Sequence, residues 1–398
     1  MDHVLVLIAL TATTMATVVP PELWSEIFGF STTGTLARVS CVCRAFKALS
    51  QKHLYRSLYW DDSHYAQSRI WDEDPLICNY PQSLVLTDAS SRDFHRKLMS
   101  SHRFAMDPEH SADIIRRTQL GIYRAVSDVI RRFANLVTLE FRNSTMPNPI
   151  LSILHELTSL ENLSIISGAF DTNSVPVTAP PRLRSLTLWR CRDSDQISWP
   201  RTFPQLLTNL LTPTLRTLRI DWTLAIAVLV TNQLPTPAPA IPLITTLCIR
   251  TPAGMSWVEG SPHFSLIAPL RAFLVSLTSL ETFKVVGGLP DISTLPDNAL
   301  QNLRIFSGPA GIALRMCARL HKVSLTDEWL GASVVANSLM AMENAGAKPR
   351  SLDLQLSAWD IEILYAVAAL FKDMEELNVR YLARGSGPDE VGHCLSIF

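Results

Sequence analysis

Ten times between residues 136 and 379 the chain repeats a spacing of apolar residues at i, i+3 and i+5, and this period constrains the fold more than any other feature. The series runs Leu136-Leu139-Phe141, Leu160-Leu163-Ile165, Leu183-Leu186-Leu188, Leu215-Leu218-Ile220, Ile244-Leu247-Ile249, Leu280-Phe283-Val285, Leu300-Leu303-Ile305, Leu320-Val323-Leu325, Pro349-Leu352-Leu354 and Met374-Leu377-Val379. Pro81-Leu84-Leu86 reads as a further, edge strand. The mean step is about 26 residues. Residues two apart share one face of a strand, so the last two apolar positions of each triplet enter a core and the residues between them face outward. Helical periodicity supplies the return segments at Ile150 to Leu157, Phe203 to Leu211, Leu266 to Leu277, Ala313 to Leu320, Ala332 to Met342 and Ile361 to Phe371. Strand and helix in tandem predict an α/β chain whose parallel sheet is wound as a right-handed solenoid. With 398 residues, 47% hydrophobic and only 18% charged, the chain has enough apolar surface to bury such a core. The proline-rich stretch Thr231 to Pro242 is expected to be a loop, and Asp107 with Pro108 the start of a longer helix.

Chemistry is harder to find. The sequence contains no HExxH, GxSxG, GxxxxGK[ST] or GxGxxG, and its histidines do not cluster at ligand spacing, so neither catalysis nor a metal or other cofactor is expected. Gly287-Gly288 and Gly385-Ser386-Gly387 read as turns rather than phosphate cradles. A formal net charge of -1 offers no whole-chain attraction for nucleic acid or an anionic membrane, and neither is an expected partner. The apolar runs at residues 4–10 and 222–230 are too short to span a bilayer, and the first lacks the basic start of a secretory signal. Seven cysteines, an odd number with no CxxC pair, point to reduced thiols in the cytoplasm or nucleus.

The outward strand positions are more informative, because in a solenoid they line up roughly 4.8 Å apart across the sheet. Arg219, Arg250, Lys284, Arg304 and Lys322 fall at such positions on five successive strands, beside the single acid Asp221. They predict a basic stripe on an otherwise neutral chain. Closely spaced guanidinium and ammonium groups chelate carboxylate or phosphate, so the expected ligand is an acidic or phosphorylated segment of a protein client. A solvated face whose charges only keep the sheet soluble is the alternative. Trp189 and Phe306 are predicted to point outward as aromatic anchors.

Ahead of the repeats lies a different pattern. Pro20 and Pro21 set an extended approach and a helix start, since proline lacks the donor that a first turn leaves unpaired anyway. Leu23, Ile27 and Phe28, then Leu36, Val39, Val42, Cys43 and Phe46, recur at helical spacing, so two short amphipathic helices face each other. About forty residues cannot bury that much apolar surface alone, which calls for a partner to complete the core. A helical hairpin that only caps the next domain is the plainer alternative.

The stretch resembles the F-box in Pro20-Pro21, in the run Glu22 to Phe28, in Leu36-Ala37-Arg38-Val39 and in Val42-Cys43-Arg44-Ala45-Phe46. The repeats resemble leucine-rich repeats, and the combination is similar to a large group of fungal F-box proteins with irregular repeat tails. That resemblance implies an α/β chain with an N-terminal three-helix F-box followed by a leucine-rich-repeat solenoid with a curved parallel sheet. Its division would be a flexible N-terminus at 1–17, the F-box at 18–60, a helical linker and first repeat edge at 61–134, and the solenoid at 135–398. It further implies a non-catalytic substrate-recognition subunit of a Skp-cullin-F-box ubiquitin ligase. Pro20, Pro21, Leu23, Ile27, Phe28, Leu36, Val39, Val42, Cys43 and Phe46 would hold the Skp adaptor and through it a cullin scaffold. Trp189, Arg219, Arg250, Lys284, Arg304, Phe306 and Lys322 would hold the client. A repeat scaffold with no ubiquitination role is the other reading. Regular repeats place an Asn or Cys three residues after the last strand leucine to tie neighbouring turns. Here Cys191 alone fills that position, Gly168, Gly288 and Gly308 stand there elsewhere, and that ladder is not expected.

Overall fold

The computed structural model describes residues 19–60, 69–87, 124–142, 145–146, 148–167, 169–170, 180–190, 192–193, 209–223, 226–227, 243–251, 257, 261, 264–288, 295–296, 299–310, 312–313, 319–381 and 395–397. In chain order the first elements are helices α1 (Pro21–Gly29), α2 (Thr33–Ser40) and α3 (Arg44–Leu54), strand β1 (Ser57–Trp60) and the short helix α4 (Ile70–Glu73). Strands β2 (Ser83–Thr87), β3 (Thr138–Arg142) and β4 (Thr145–Met146), helix α5 (Asn148–Ile153) and strands β5 (Asn162–Ile166) and β6 (Ala169–Phe170) follow. Next come β7 (Ser185–Trp189), β8 (Arg192–Asp193), β9 (Thr217–Asp221) and β10 (Thr246–Arg250), helix α6 (Ile267–Ser276), and strands β11 (Thr282–Val286), β12 (Ile305–Gly308) and β13 (Lys322–Leu330). Helix α7 (Ala332–Asn344), strand β14 (Ser351–Leu356), helix α8 (Ile361–Leu370) and strands β15 (Glu376–Tyr381) and β16 (Leu395–Ile397) complete the series. The chain divides into two compact units, Met1–Leu183 with Arg192–Ser198, and Arg184–Cys191 with Trp199–Phe398.

In the first unit each N-terminal helix has a local reason to start. The Pro20 carbonyl accepts from the Leu23 and Trp24 amides at 3.1 and 3.3 Å, and Pro21 occupies the first helical position. Thr32 Oγ1 caps α2 by accepting from the Thr35 amide at 3.3 Å. Cys43 Sγ does the same for α3, accepting from the Phe46 amide at 3.4 Å. After α3 the chain turns directly into β1, which pairs in parallel with β2, so the first edge strand is 57–60 and Pro81-Leu84-Leu86 belongs to the second strand. Parallel pairing continues from β2 to β3 to β5, with Leu58, Leu84, Leu139 and Leu163 in one rung and Trp60, Leu86, Phe141 and Ile165 in another. Trp60, Trp71 and Phe133 seal the edge as a buried aromatic cluster, with ring centroids 5.3 to 6.0 Å apart.

The second unit runs in chain order from β7 to β15, all parallel, and ends with β16 antiparallel to β15. Leu186, Leu218, Leu247, Phe283, Phe306, Val323, Leu352 and Leu377 share one register row and are all buried. Return helices form at α5, α6, α7 and α8, where the periodicity predicts them. The predicted segments Phe203 to Leu211 and Ala313 to Leu320 lie largely outside the described residues, as do the Pro-rich stretch Thr231 to Pro242, the Asp107 helix start and Cys191.

The structure corrects one repeat. Leu300-Leu303-Ile305 is out of frame by three residues, because Phe306, not Ile305, pairs with Phe283, and Ile305 pairs with Thr282. The buried Phe306 ring meets Phe283 edge-on at 5.9 Å, while Ile305 is 38% exposed. The true triplet is Leu303-Phe306-Gly308. A Cβ at Gly308 would come within 2.8 Å of Val285 Cβ, so the third apolar place has no room for a leucine. Phe306 is therefore a core residue, not an outward anchor.

A tie between repeats also exists, at a different place from the expected one. Asn135 Nδ2 donates to the Asn79 carbonyl at 2.8 Å, Ser159 Oγ to that of Ala134 at 2.8 Å, and Asn302 Nδ2 to that of Thr278 at 2.8 Å. Each donor stands immediately before the first leucine of its repeat, on the rim where chains enter the sheet. Replacing Phe306 by Ala is expected to lower stability by about 3–5 kcal/mol. The same change at Ile305 should cost less than about 1 kcal/mol. Urea unfolding of the two variants checks the corrected frame.

Candidate docking surfaces

The three N-terminal helices split the predicted adaptor-binding residues into two sets. Phe28, Leu36, Val39 and Phe46 are buried together, with Trp24, Cys43, Leu49 and Leu54 packed against them. Rings of Trp24, Phe28 and Phe46 meet at centroid distances of 4.8, 5.6 and 5.9 Å, and Ser25 Oγ and His53 Nε2, 3.0 Å apart, link α1 to α3. Burial, then the charges of Lys52 and Arg56, hold the His53 imidazole below its usual range. Sequence periodicity alone could not separate core from surface here, so Phe28, Leu36, Val39 and Phe46 are corrected to scaffold. Cys43 is half-buried and acts as a helix cap.

The second set faces out. Leu23 is 49% and Ile27 50% exposed, Val42 41%, and Pro20 and Pro21 are exposed beside them. Phe30, which the sequence reading missed, is 92% exposed. It follows Ile27 by three and Leu23 by seven, so the signal was its helical spacing, hidden because Phe30 lies just past the end of α1. This apolar stripe is open on a unit whose own core is already closed beneath it.

The predicted basic stripe does not survive as one line. Arg219 and Lys284 share a register row and are exposed, flanking the buried Cys248. Burial pushes the Cys248 thiol up, with Lys284 and Arg219 pulling the other way. Arg250 lies one row further along and is consumed internally. Its Nε donates to Asp221 Oδ1 at 2.7 Å and its Nη2 to Oδ2, a bidentate pair in which Asp221 is 6% exposed. The Arg190 amide donates to the same carboxylate at 2.6 Å, and the Arg250 guanidinium sits 5.8 Å from the centre of the half-buried Trp189 ring. Asp221 thus fastens β7, β9 and β10 together. Trp189 and Arg250 belong to this knot.

Lys322 is engaged as well, lying 3.5 Å from Asp353 and 3.7 Å from Glu376. Ser351 Oγ donates to Glu376 Oε2 at 2.7 Å, and Asn378 Nδ2 reaches both Asp353 and Glu376. These contacts, Ser351 first, then Asn378 and Lys322, hold the Glu376 carboxyl below the ordinary carboxylate value. Arg304 precedes β12 and stands on the entry rim, off the sheet face. Only Arg219 and Lys284 of the five predicted bases remain exposed in a common row.

Residues 17–60 match the family model described as F-box-like. The chain carries an F-box-like domain. No curated protein matches the chain. Solved structures similar in fold include a TLR13–ssRNA13 complex, at 14% identity and TM-score 0.36, covering 77% of this chain and 37% of that one. A mouse RP105/MD-1 complex matches at 16% identity and TM-score 0.28, covering 63% and 35%. A Bacteroides fragilis protein matches at 9% identity and TM-score 0.33, covering 82% and 77%. The chain spans little more than a third of the first two. Among the described residues, no group of three or more His, Cys, Asp or Glu could hold a metal ion, and no helix is long and apolar enough to cross a membrane.

Two predictions follow the charges. Asp221→Asn leaves Arg250 confined without its counter-ion and is expected to destabilise the second unit by about 3–5 kcal/mol, measured by denaturant unfolding. Glu376, with its folded value depressed, contributes stability that is present above the unfolded carboxylate range and lost as pH falls through the folded value. Ser351→Ala should move Glu376 titration upward, a shift read from its side-chain resonances in an NMR pH series.

Proposed function

We propose that this protein is a substrate-recognition subunit of a Skp-cullin-F-box ubiquitin ligase. In this reading the F-box holds the Skp adaptor, the adaptor connects to a cullin scaffold, and the repeats hold a protein client in the cytoplasm or nucleus. Ubiquitin transfer belongs to the other subunits, so this chain contributes position and specificity without a catalytic residue. The observation that carries the proposal is the exposed stripe of Leu23, Ile27 and Phe30, with Val42 exposed as well, on a small helical unit whose own core is closed. The sequence calls for a partner to complete this core, but the helices close it themselves, and what stays open is the outer face. A finished core with an apolar outer face favours a separate partner.

For the client, the surface that supports recognition is the outward face around Arg219 and Lys284, with serines Ser307 and Ser324 continuing the same row and Asp353 and Asn378 ending it. An acidic segment, phosphorylated or not, fits the Arg219–Lys284 end. The Asp353 end would repel it.

Leu23→Asp with Ile27→Asp places two charges in the stripe without touching the buried cluster. Retention of the full-length protein on immobilised Skp adaptor is expected to fall at least ~tenfold while the circular dichroism spectrum stays unchanged. Undiminished retention would mean that docking does not use this face and would remove the ligase assignment.

A further inference from the structure

The rim on which chains enter the second unit's sheet changes character in the last three repeats. In this unit Asn302, before Leu303, is a short donor that ties neighbouring loops, as Asn135 and Ser159 do in the first unit, whereas Arg182 and Leu243 hold that place in other repeats. The corresponding residues before Leu320, Pro349 and Met374 are Arg319, Lys348 and Asp373. All three are charged, and a cleft of about 610 Å³ opens there.

The cleft has a fixed floor and a charged wall. The His321 carbonyl accepts from the Arg350 and Ser351 amides at 2.8 and 3.0 Å, and the Arg350 carbonyl accepts from those of Glu375 and Glu376 at 2.8 and 3.0 Å. Successive loops are therefore locked in step at the strand spacing, roughly 4.8 Å. Four basic side chains, Arg319, Lys348, Arg350 and Lys372, line the cleft against two carboxylates, Asp373 and Glu375, a balance of +2 among these six. Glu375 is already bound to Arg350 at 3.0 Å. Among the described residues no carboxylate pairs with Arg319, Lys348 or Lys372. Leu320 and Met374 are the apolar part of the lining, too little for an apolar ligand.

We propose that this rim cleft binds a small, multiply phosphorylated anion. Its volume lies within the range of small-molecule sites, roughly 300–1,000 Å³, and exceeds what a single carboxylate would fill. The unpaired Arg319 guanidinium and two ammonium groups, with Arg350 held beside them by Glu375, match the dense charge and tetrahedral oxygens of linked phosphates better than a lone carboxylate. Because its lining comes from three successive repeats, an occupant bridges them and stabilises the folded state by mass action. The site is remote in sequence from the F-box stripe and does not depend on the ligase reading.

Calorimetric titration of the full-length protein with inorganic pyrophosphate at low salt tests this. Expected are saturable one-to-one binding, a raised thermal midpoint, and a loss of affinity of at least ~tenfold in Lys348→Glu with Lys372→Glu, two exposed positions outside the core. An unchanged circular dichroism spectrum and cooperative urea unfolding of that double variant show that it folds. Arg350→Lys, which keeps the charge but removes the fork, should weaken binding less than the double charge reversal does. Absence of saturable binding, undiminished binding by the double variant, or equal affinity for sulfate would each overturn the proposal. So would capture of a phosphoserine peptide by this rim without any binding of pyrophosphate.

Discussion

Every surface of the repeats depends on the parallel backbone ladder and the apolar rungs stacked behind it. A row such as Leu186, Leu218, Leu247, Phe283, Phe306, Val323, Leu352 and Leu377 keeps neighbouring strands in step, because a slip of one residue would turn the whole buried set outward. The same register decides which outward side chains become neighbours. Charges nearly thirty residues apart in sequence, such as Asp221 and Arg250, meet only because their strands pair one to one.

That register turns a run of cations into three distinct environments. Arg250 is drawn into a bidentate pair beneath Trp189, where it ties strands and is lost to clients. Lys322 sits between two carboxylates on β14 and β15. Arg219 and Lys284 alone keep their charge toward solvent in one row, while Arg304 moves to the rim. Counting charges along the sequence thus overstates the basic surface, since it cannot tell a paired guanidinium from an open one.

The F-box shows the same division on a smaller scale. Its amphipathic pattern is broad enough to serve both a closed core and an open face. Trp24 and Phe28 form one stripe of α1 and turn inward against Phe46. Leu23 and Ile27, one residue earlier in each case, form the adjacent stripe and stay exposed, joined by Phe30 just past the helix end. Caps at Thr32 and Cys43 set the helix starts that hold the two stripes apart.

The sequence by itself determined the architecture: the i, i+3, i+5 spacing forces parallel strands with returns between them, and the proline-led helical pattern marks a separate docking unit. Those features are periodic and local, so they survive in one dimension. It also misread one frame, because Leu300, Leu303 and Ile305 satisfy the spacing as well as Leu303 and Phe306 do. Only the crowding at Gly308 and the Phe283 ring decides between them. Tertiary structure alone decided which members of the helical pattern are core, which cations are already paired, and that a charged cleft opens on the rim of the last repeats. Each of these depends on what lies across a strand or helix contact some twenty to thirty residues away in the chain, and spacing within one segment carries no record of its partner.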